Sequence, residues 1–129
     1  MIEIDQLEPP ISEELIAKLF NLWERTFASS YKGFQSIMDG SENFDNRDII
    51  YFVREEGEIS GTCHLTIPRS QISLGGIGEV VTVPRFRRQG FASAVCAHAR
   101  DNFIKDGGDA LFLGSTNPEA SRVYHRLGW

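Results

Sequence analysis

Apolar and polar residues alternate over Ile2-Glu3-Ile4-Asp5-Gln6-Leu7 and stop at Pro9-Pro10, which predicts a short first strand. From Ser12 the period lengthens. Leu15, Ile16, Leu19, Phe20, Trp23 and Phe27 fall on one helical face, Ser12 stands at the N-cap, and Ile11 and Ile16 sit where a hydrophobic staple packs. A shorter helical stretch covers about Tyr31 to Met38 and gives way to the polar segment Asp39-Gly40-Ser41-Glu42-Asn43. Ile49 to Arg54 has strand composition, Glu56-Gly57 marks a hairpin turn, and Ile59 to Ile67 reads as the returning strand. Ser70 to Gly76 reads as a connection into a further strand, Glu79 to Val83. Phe91 to Lys105 places Ala92, Val95, Cys96, Ala99 and Phe103 on one face and closes at Gly107-Gly108. Ala110 to Gly114 is a short buried strand, and Pro118 opens a last helix through about Leu127, with Gly128 as its stop. The order strand, two helices, three strands, helix, strand, helix predicts a single α/β (α+β) domain over residues 1–129.

Composition narrows the class. At 129 residues, 41% hydrophobic and 24% charged, the chain supports one core that buries roughly two-thirds of the unfolded surface. The formal net charge of -5 disfavours non-specific binding to nucleic acid or anionic lipid. No apolar run reaches the roughly 18 to 20 residues that span a bilayer, and Met1-Ile2-Glu3-Ile4-Asp5 lacks a basic and then apolar leader, so the cytoplasm is the expected compartment. Cys63 and Cys96 lie in a strand-like and a helix-like run, which favours two small buried thiols over a bridge. The charge is uneven: residues 1–60 carry 5 Lys/Arg against 13 Asp/Glu, and residues 61–129 carry 8 against 5. The positive half gathers Arg85, Arg87 and Arg88 beside a glycine, which suits a small polyanion such as a phosphorylated cofactor.

The richest chemical signal is Val80-Val81-Thr82-Val83-Pro84-Arg85-Phe86-Arg87-Arg88-Gln89-Gly90-Phe91-Ala92-Ser93, a strand, a turn and a helix start. The first turn of a helix leaves N–H groups without intrahelical partners and carries the positive end of the macrodipole, so an oxyanion there meets several donors together. Gly90 and Ala92 let a pyrophosphate approach the backbone, while Arg87 and Arg88 bring mobile positive charge to the rim. The same residues also fit an ordinary helix cap with a solvated arginine face. Other glycine loops fail on spacing. No Gly-Lys pair exists for a P-loop, and Gly76-Ile77-Gly78 precedes a strand and has Val81 where a dinucleotide fingerprint needs its third glycine. His64, His98 and His125 stand in separate elements without paired ligand spacing, so no metal site is expected and each reads as structural or exposed.

Arg87-x-x-Gly90-x-Ala92 after an apolar strand, followed by a helix, a short strand and Asn117-x-x-Ala120-x-x-x-Tyr124-x-x-x-Gly128-Trp129, resembles the GCN5-related N-acetyltransferase (GNAT) family over about residues 48 to 129. The resemblance implies a mostly antiparallel central sheet flanked by helices, with acetyl-CoA as the acyl donor. It implies that the strand Val80, Val81 and Thr82 receives the acyl and pantetheine amides as though they were a neighbouring strand, chiefly through the backbone of Val80 and Thr82. The pyrophosphate would take N–H groups from about Arg88 through Gln89, Gly90, Phe91 and Ala92 to Ser93, with Arg87 alongside, and Asn117 would hold pantetheine. Asn117-Pro118 equally fits a plain helix N-cap.

Tyr124 matches the family's usual general acid for the departing thiolate, and a core tyrosine with a satisfied hydroxyl is the plainer alternative. An acceptor amine near pKa 10.4 is almost wholly protonated at neutral pH, so a base or water relay is required. Glu79 is the best-placed carboxylate, although Gly76 stands where histone-acetylating relatives carry their glutamate; His98 and Glu119 are further candidates without support. The acidic first half suggests a cationic amine, small-molecule or protein-borne, and also fits simple solubility.

Similar domains usually continue beyond the equivalent of Trp129 into further strands. The expectation is therefore a C-terminally incomplete sheet and a possible homodimer. An acetyl transfer to a primary amine by direct attack in a ternary complex is the first functional reading. A non-catalytic CoA-binding module, or part of a larger acyltransferase, is the second, and generic nucleotide binding ranks last because it leaves Asn117 and Tyr124 unexplained.

Overall fold

The computed structural model describes residues 2–114, together with Arg122, Tyr124, His125, Leu127 and Gly128. The strands are β1 (Asp5–Leu7), β2 (Asn46–Glu55), β3 (Glu58–Pro68), β4 (Leu74–Thr82) and β5 (Ala110–Leu113). The helices are α1 (Glu13–Phe27), α2 (Gln35–Met38) and α3 (Phe91–Lys105), with 3₁₀ turns at Lys32–Phe34 and Pro84–Phe86. Arg122, Tyr124 and His125 are helical, on the stretch where the sequence places a last helix. The sheet order is β1-β2-β3-β4-β5. Its first three pairings are antiparallel, and β4 and β5 run parallel because α3 crosses over between them.

Local chemistry explains most boundaries. Ser12 accepts the Leu15 N–H at 3.3 Å and starts α1, and Ala28 ends it in the left-handed conformation at φ 51°. Glu56 and Gly57 both have positive φ, at 53° and 78°, which is the two-residue turn that matches strand twist between β2 and β3.

The central strands are covered on both faces. Ile49, Tyr51, Val53, Cys63 and Leu65 face a core built with Val95, Cys96, Ala99 and Phe103 of α3. Ile50 and Phe52 face a second core built with Ile16, Leu19, Leu22 and Trp23 of α1 and Met38 of α2. Burial on both faces is why β2 reads as an apolar run without alternation.

Several sequence expectations need correction. The connection expected at Ser70 to Gly76 is shorter than the sequence suggests: β4 begins at Leu74, so Glu79 is interior to it and Gly76-Ile77-Gly78 lies within it. Packing overrides the low strand propensity of glycine here. A Cβ on Gly75 would come within 2.8 Å of the Phe103 ring and 3.2 Å of Leu111, so α3 and β5 close over a position only glycine fits. On α1, Leu22 joins the core while Phe27 is 43% exposed. The second helix resolves into a 3₁₀ turn plus the short α2. Cys63 and Cys96 are free, buried thiols. Burial and a hydrogen bond with Cys96 hold the Cys63 thiol well above its ordinary range, the hydrogen bond being the larger cause. Among the described residues no helix is long and apolar enough to cross a membrane.

Gly108 gives a direct check of this packing. Its Cβ would fall 2.3 Å from the Phe103 ring, whereas a Cβ on Gly33 meets nothing within 4 Å. Gly108→Ala is expected to cost about 1–3 kcal/mol in urea unfolding, and Gly33→Ala to change stability by less than about 0.5 kcal/mol.

Candidate active site

The site begins with an irregularity in β4. Thr62 pairs with Val81 and His64 with Gly78, so the single residue Cys63 on β3 opposes Glu79 and Val80 on β4. This is a β-bulge. Glu79 takes the left-handed conformation at φ 48°, and its carbonyl accepts the Thr62 hydroxyl at 2.7 Å. Thr62 Oγ1 in turn accepts the Trp23 indole N–H at 3.0 Å, so a buried tryptophan on α1 fixes the group that satisfies the bulge. The extra residue turns the Glu79 side chain toward the α1 face of the sheet.

There the carboxylate meets a buried histidine. His64 Nδ1 lies 2.8 Å from Glu79 Oε1, and His64 Nε2 lies 2.8 Å from Asp48 Oδ1. Ionised carboxylates only accept, so two such contacts on one ring require both ring nitrogens to carry protons. His64 is therefore an imidazolium between two carboxylates. Burial alone opposes the charge, but the hydrogen bonds and charges of Asp48 and Glu79 overcome it and push the His64 pKa up to about 9. The Thr66 hydroxyl donates to Asp48 Oδ1 at 3.2 Å, and the Trp23 ring stacks near parallel to the imidazolium at 6.4 Å. Tyr31 places its hydroxyl 3.4 Å from Glu79 Oε2. Burial first, then the charges of Glu79 and Glu24, raise the Tyr31 pKa to about 12, so its hydroxyl stays protonated and donates.

A strand edge runs away from this cluster. β5 pairs with β4 only at Leu74 to Ile77, so beyond Ile77 the β5 side of Gly78, Glu79, Val80, Val81 and Thr82 has no strand partner among the described residues. The edge leads through the Pro84–Phe86 turn to the start of α3, where Arg88 and Gly90 both have positive φ, at 66° and 81°. Gly90 is the N-cap and supplies no side-chain hydrogen bond to the first turn, leaving those N–H groups open to an anion. A Cβ on Gly90 would meet no protein atom within 4 Å, so the glycine answers to its left-handed backbone and to whatever sits above it. Arg87, Arg88, Gln89 and Gly90 are exposed, Ala92 and Ser93 are half-buried, and Phe91 buries its ring against Phe86. Arg85 is already engaged: it pairs with Glu58 and stacks over Phe86 at 4.7 Å.

Other candidates fall out differently. Tyr124 is buried, and its ring belongs to the α3-side core that also holds Cys63, Cys96 and Val95. Burial, then the two thiols, push its pKa up to about 12. His98 packs edge-on against Tyr51, 5.5 Å away on the α3 face and across the sheet from Glu79. Asn117 and Glu119 lie outside the described residues. Sequence reading missed Asp48, His64 and Tyr31 as members of the site. The one available signal was His64, a polar residue in the middle of the apolar run Ile59 to Ile67; Asp48 lies just outside the strand that the sequence predicts from Ile49. Among the described residues no group of three or more His, Cys, Asp or Glu is arranged to hold a metal ion.

The charged histidine makes stability depend on pH. Because its folded pKa of about 9 lies above the ordinary 6.5, its contribution is complete below pH 6.5 and is lost as pH rises to about 9. Thermal melts of the wild type and His64→Gln are expected to converge between pH 6.5 and 10, with a difference of order 3 kcal/mol at the acidic end. A pH-independent difference contradicts the buried imidazolium.

The fold that carries this strand edge has counterparts among solved structures. An aminoglycoside acetyltransferase from an uncultured soil metagenomic sample, solved with sisomicin, superposes with TM-score 0.77 at 16% identity, covering 99% of this chain and 88% of that one. Glucosamine-6-phosphate N-acetyltransferase from Arabidopsis thaliana gives TM-score 0.72 at 19% identity, with 98% and 91% covered. AAC(6')-Iy, in complex with the bisubstrate analog CoA-S-monomethyl-acetylneamine, gives 0.73 at 15% identity, with 98% and 90% covered. These likenesses establish the fold. No curated protein gives a significant match to the sequence. The acetyltransferase (GNAT) family model matches residues 12–129, from the Ser12 cap of α1 to the final tryptophan, and the chain is thus an acetyltransferase of the GNAT family.

Proposed function

We propose that this enzyme transfers an acetyl group from acetyl-CoA to a primary amine by direct attack within a ternary complex. The observation that carries the reading is the β4 edge at 78–82, without a strand partner among the described residues, which joins the Gly90 turn at one end to Glu79 at the other. Acetyl-CoA fits that path. An extended pantetheine chain carries amides that can pair with a strand edge, and its pyrophosphate suits a helix N-terminus with exposed Arg87 and Arg88 beside it. Val80, Val81 and Thr82 would hold the acyl and pantetheine amides, and Arg88, Gln89, Gly90, Phe91, Ala92 and Ser93 would meet the pyrophosphate through their N–H groups. The family resemblance adds Asn117 on pantetheine. When bound, acetyl-CoA supplies an activated acyl thioester; the protein orients it and manages protons.

Glu79 is the proposed acceptor of the amine's proton. Oε1 is engaged by His64 and Oε2 is contacted by the Tyr31 hydroxyl. Tyr124 is proposed to stabilise the developing thiolate. With a pKa of about 12 against about 8.5 for a thiol, full proton transfer from Tyr124 would run uphill by about 5 kcal/mol, so hydrogen-bond donation is the role that its burial favours.

A cationic acceptor is supported by the site itself more than by the acidic first half of the chain. Many acidic residues there are spent in surface pairs: Glu8 with Arg47, Glu14 with Lys18, Asp5 with Arg54 and Glu58 with Arg85. Asp48, His64 and Glu79 together carry one net negative charge on the α1 face, and Glu24, which accepts the Tyr31 N–H at 2.8 Å, adds another nearby. Two of the structural neighbours were solved with amino-sugar ligands, sisomicin and an acetylneamine conjugate, in keeping with an ammonium-bearing acceptor.

Calorimetric titration with acetyl-CoA, followed by thiol release against spermidine, lysine amide, glucosamine 6-phosphate and neamine, tests the reading. Gly90→Glu places a carboxylate at the anion site and is expected to weaken acetyl-CoA binding more than tenfold. Tyr124→Phe is expected to lower kcat by about 10²-fold with the acetyl-CoA Kd unchanged. Binding without thiol release from any amine would favour a CoA-binding module, and absence of binding would overturn the donor assignment.

A further inference from the structure

His64 sits in a buried charged cluster that neither the donor nor the acceptor accounts for. Its side chain is 5% exposed, yet each ring nitrogen lies 2.8 Å from a carboxylate oxygen, one of Asp48 and one of Glu79. A purely structural strand position would be filled more cheaply by an apolar residue, as Leu65 and Ile50 fill neighbouring ones, because desolvating three charges costs more than burying a side chain of similar volume. The arrangement is also directional. Asp48 is buried and holds the far side of the ring, with Thr66 donating to the same oxygen; Trp23 covers the ring's face; only Glu79, the half-exposed member, lies at the open end.

That open end adjoins free space. Gly76 and Gly78 precede Glu79 on β4, and a Cβ on either would meet no heavy atom within 4 Å. In a strand these alternate with Gly75 and Ile77, which pack on the α3 side, so the two glycines leave the α1 face beside Glu79 without side chains. A carboxylate on a strained bulge next to a recess has rotamer freedom, and the His64 N–H on Oε1 removes it.

We propose that His64, anchored by Asp48, is a positioning residue that locks the Glu79 carboxylate so that Oε2 faces an acceptor amine entering over Gly76 and Gly78. The proposal rests on the reading of Glu79 as proton acceptor. In the step it serves, an N–H bond of the acceptor ammonium breaks, an O–H bond forms at Glu79 Oε2, and the proton then passes to solvent. His64 keeps both of its protons throughout. The groups facing it are Asp48 from β2, Thr66 from β3, Glu79 from β4 and the Trp23 ring from α1, with Tyr31 reaching it through Glu79.

The test is a double-mutant cycle on the holo chain, using thiol release from acetyl-CoA with the fastest amine of the panel above. Glu79→Gln and His64→Gln should each lower kcat, His64→Gln by 10- to 100-fold, with the acetyl-CoA Kd unchanged. The double variant should be no slower than Glu79→Gln alone. Asp48→Asn, which keeps the histidine and nearly the same shape, should lower kcat by 3- to 10-fold and serves if His64→Gln does not fold. Nitrogen-detected NMR of the His64 ring needs no acceptor: both ring nitrogens should be protonated at pH 7.5, and the ring should titrate at lower pH in Glu79→Gln.

Three results overturn the proposal while leaving Glu79 in place: full kcat in folded His64→Gln, a His64→Gln loss that persists undiminished in the Glu79→Gln background, or a neutral ring at pH 7.5. Full kcat in Glu79→Gln removes the reading of Glu79 itself, and the positioning role falls with it.

Discussion

One extra residue in β4 sets the geometry on which the rest depends. Without the bulge, strict alternation would carry the Glu79 side chain to the α3 face, away from His64. With it, Glu79 faces α1, Val80 packs with the α3-side core and Val81 with the α1-side core. The left-handed backbone at Glu79 costs of order 1–2 kcal/mol for a residue with a Cβ. It persists because the Glu79 carbonyl is held by Thr62, Thr62 by Trp23, and the carboxylate by His64. The two apolar cores therefore meet the polar site at one point. α1 reaches the chemistry through an indole N–H, and α3 reaches it through its own N-terminus at Gly90.

The charges divide into two populations with different consequences. Exposed pairs such as Lys18 with Glu14 and Arg54 with Asp5 are worth little and are screened by salt. The Asp48, His64 and Glu79 chain is largely removed from water, where each charge is costly without its neighbours and strongly coupled to them. In the glycine turn the same distinction separates Arg85, tied to Glu58, from Arg87 and Arg88, which are exposed and free to meet a ligand. A net negative chain thus presents a positive turn at one end of the β4 edge and a negative recess at the other, the charge layout on which the proposed anionic donor and cationic acceptor rest.

How much of this was legible in the sequence follows from which interactions are local. The α1 cap at Ser12, the limits of α3 and the Glu56-Gly57 hairpin depend on neighbours a few residues away, and periodicity and turn chemistry recover them. The start of β4 at Leu74 was hidden by Gly75, Gly76 and Gly78, whose presence makes sense only once Phe103 and the recess are in place. Gly90 and Arg87 stood out by position in a strand, turn and helix pattern, and Glu79 through the family resemblance that the pattern supports. Asp48 and His64 did not, because their meeting needs the register of three strands and a bulge that shifts one of them by a residue. Phe27 misled for a simpler reason: α1 ends there, and its last turn extends past the core it covers.

Amide hydrogen exchange with and without acetyl-CoA tests the central claim, that the open β4 edge receives the donor and aims it at Glu79. Slowed exchange is expected in the peptides covering 78–82 and 88–93, with the paired β2 and β3 amides little changed. Protection confined to other segments, or none at saturating acetyl-CoA, would contradict the account.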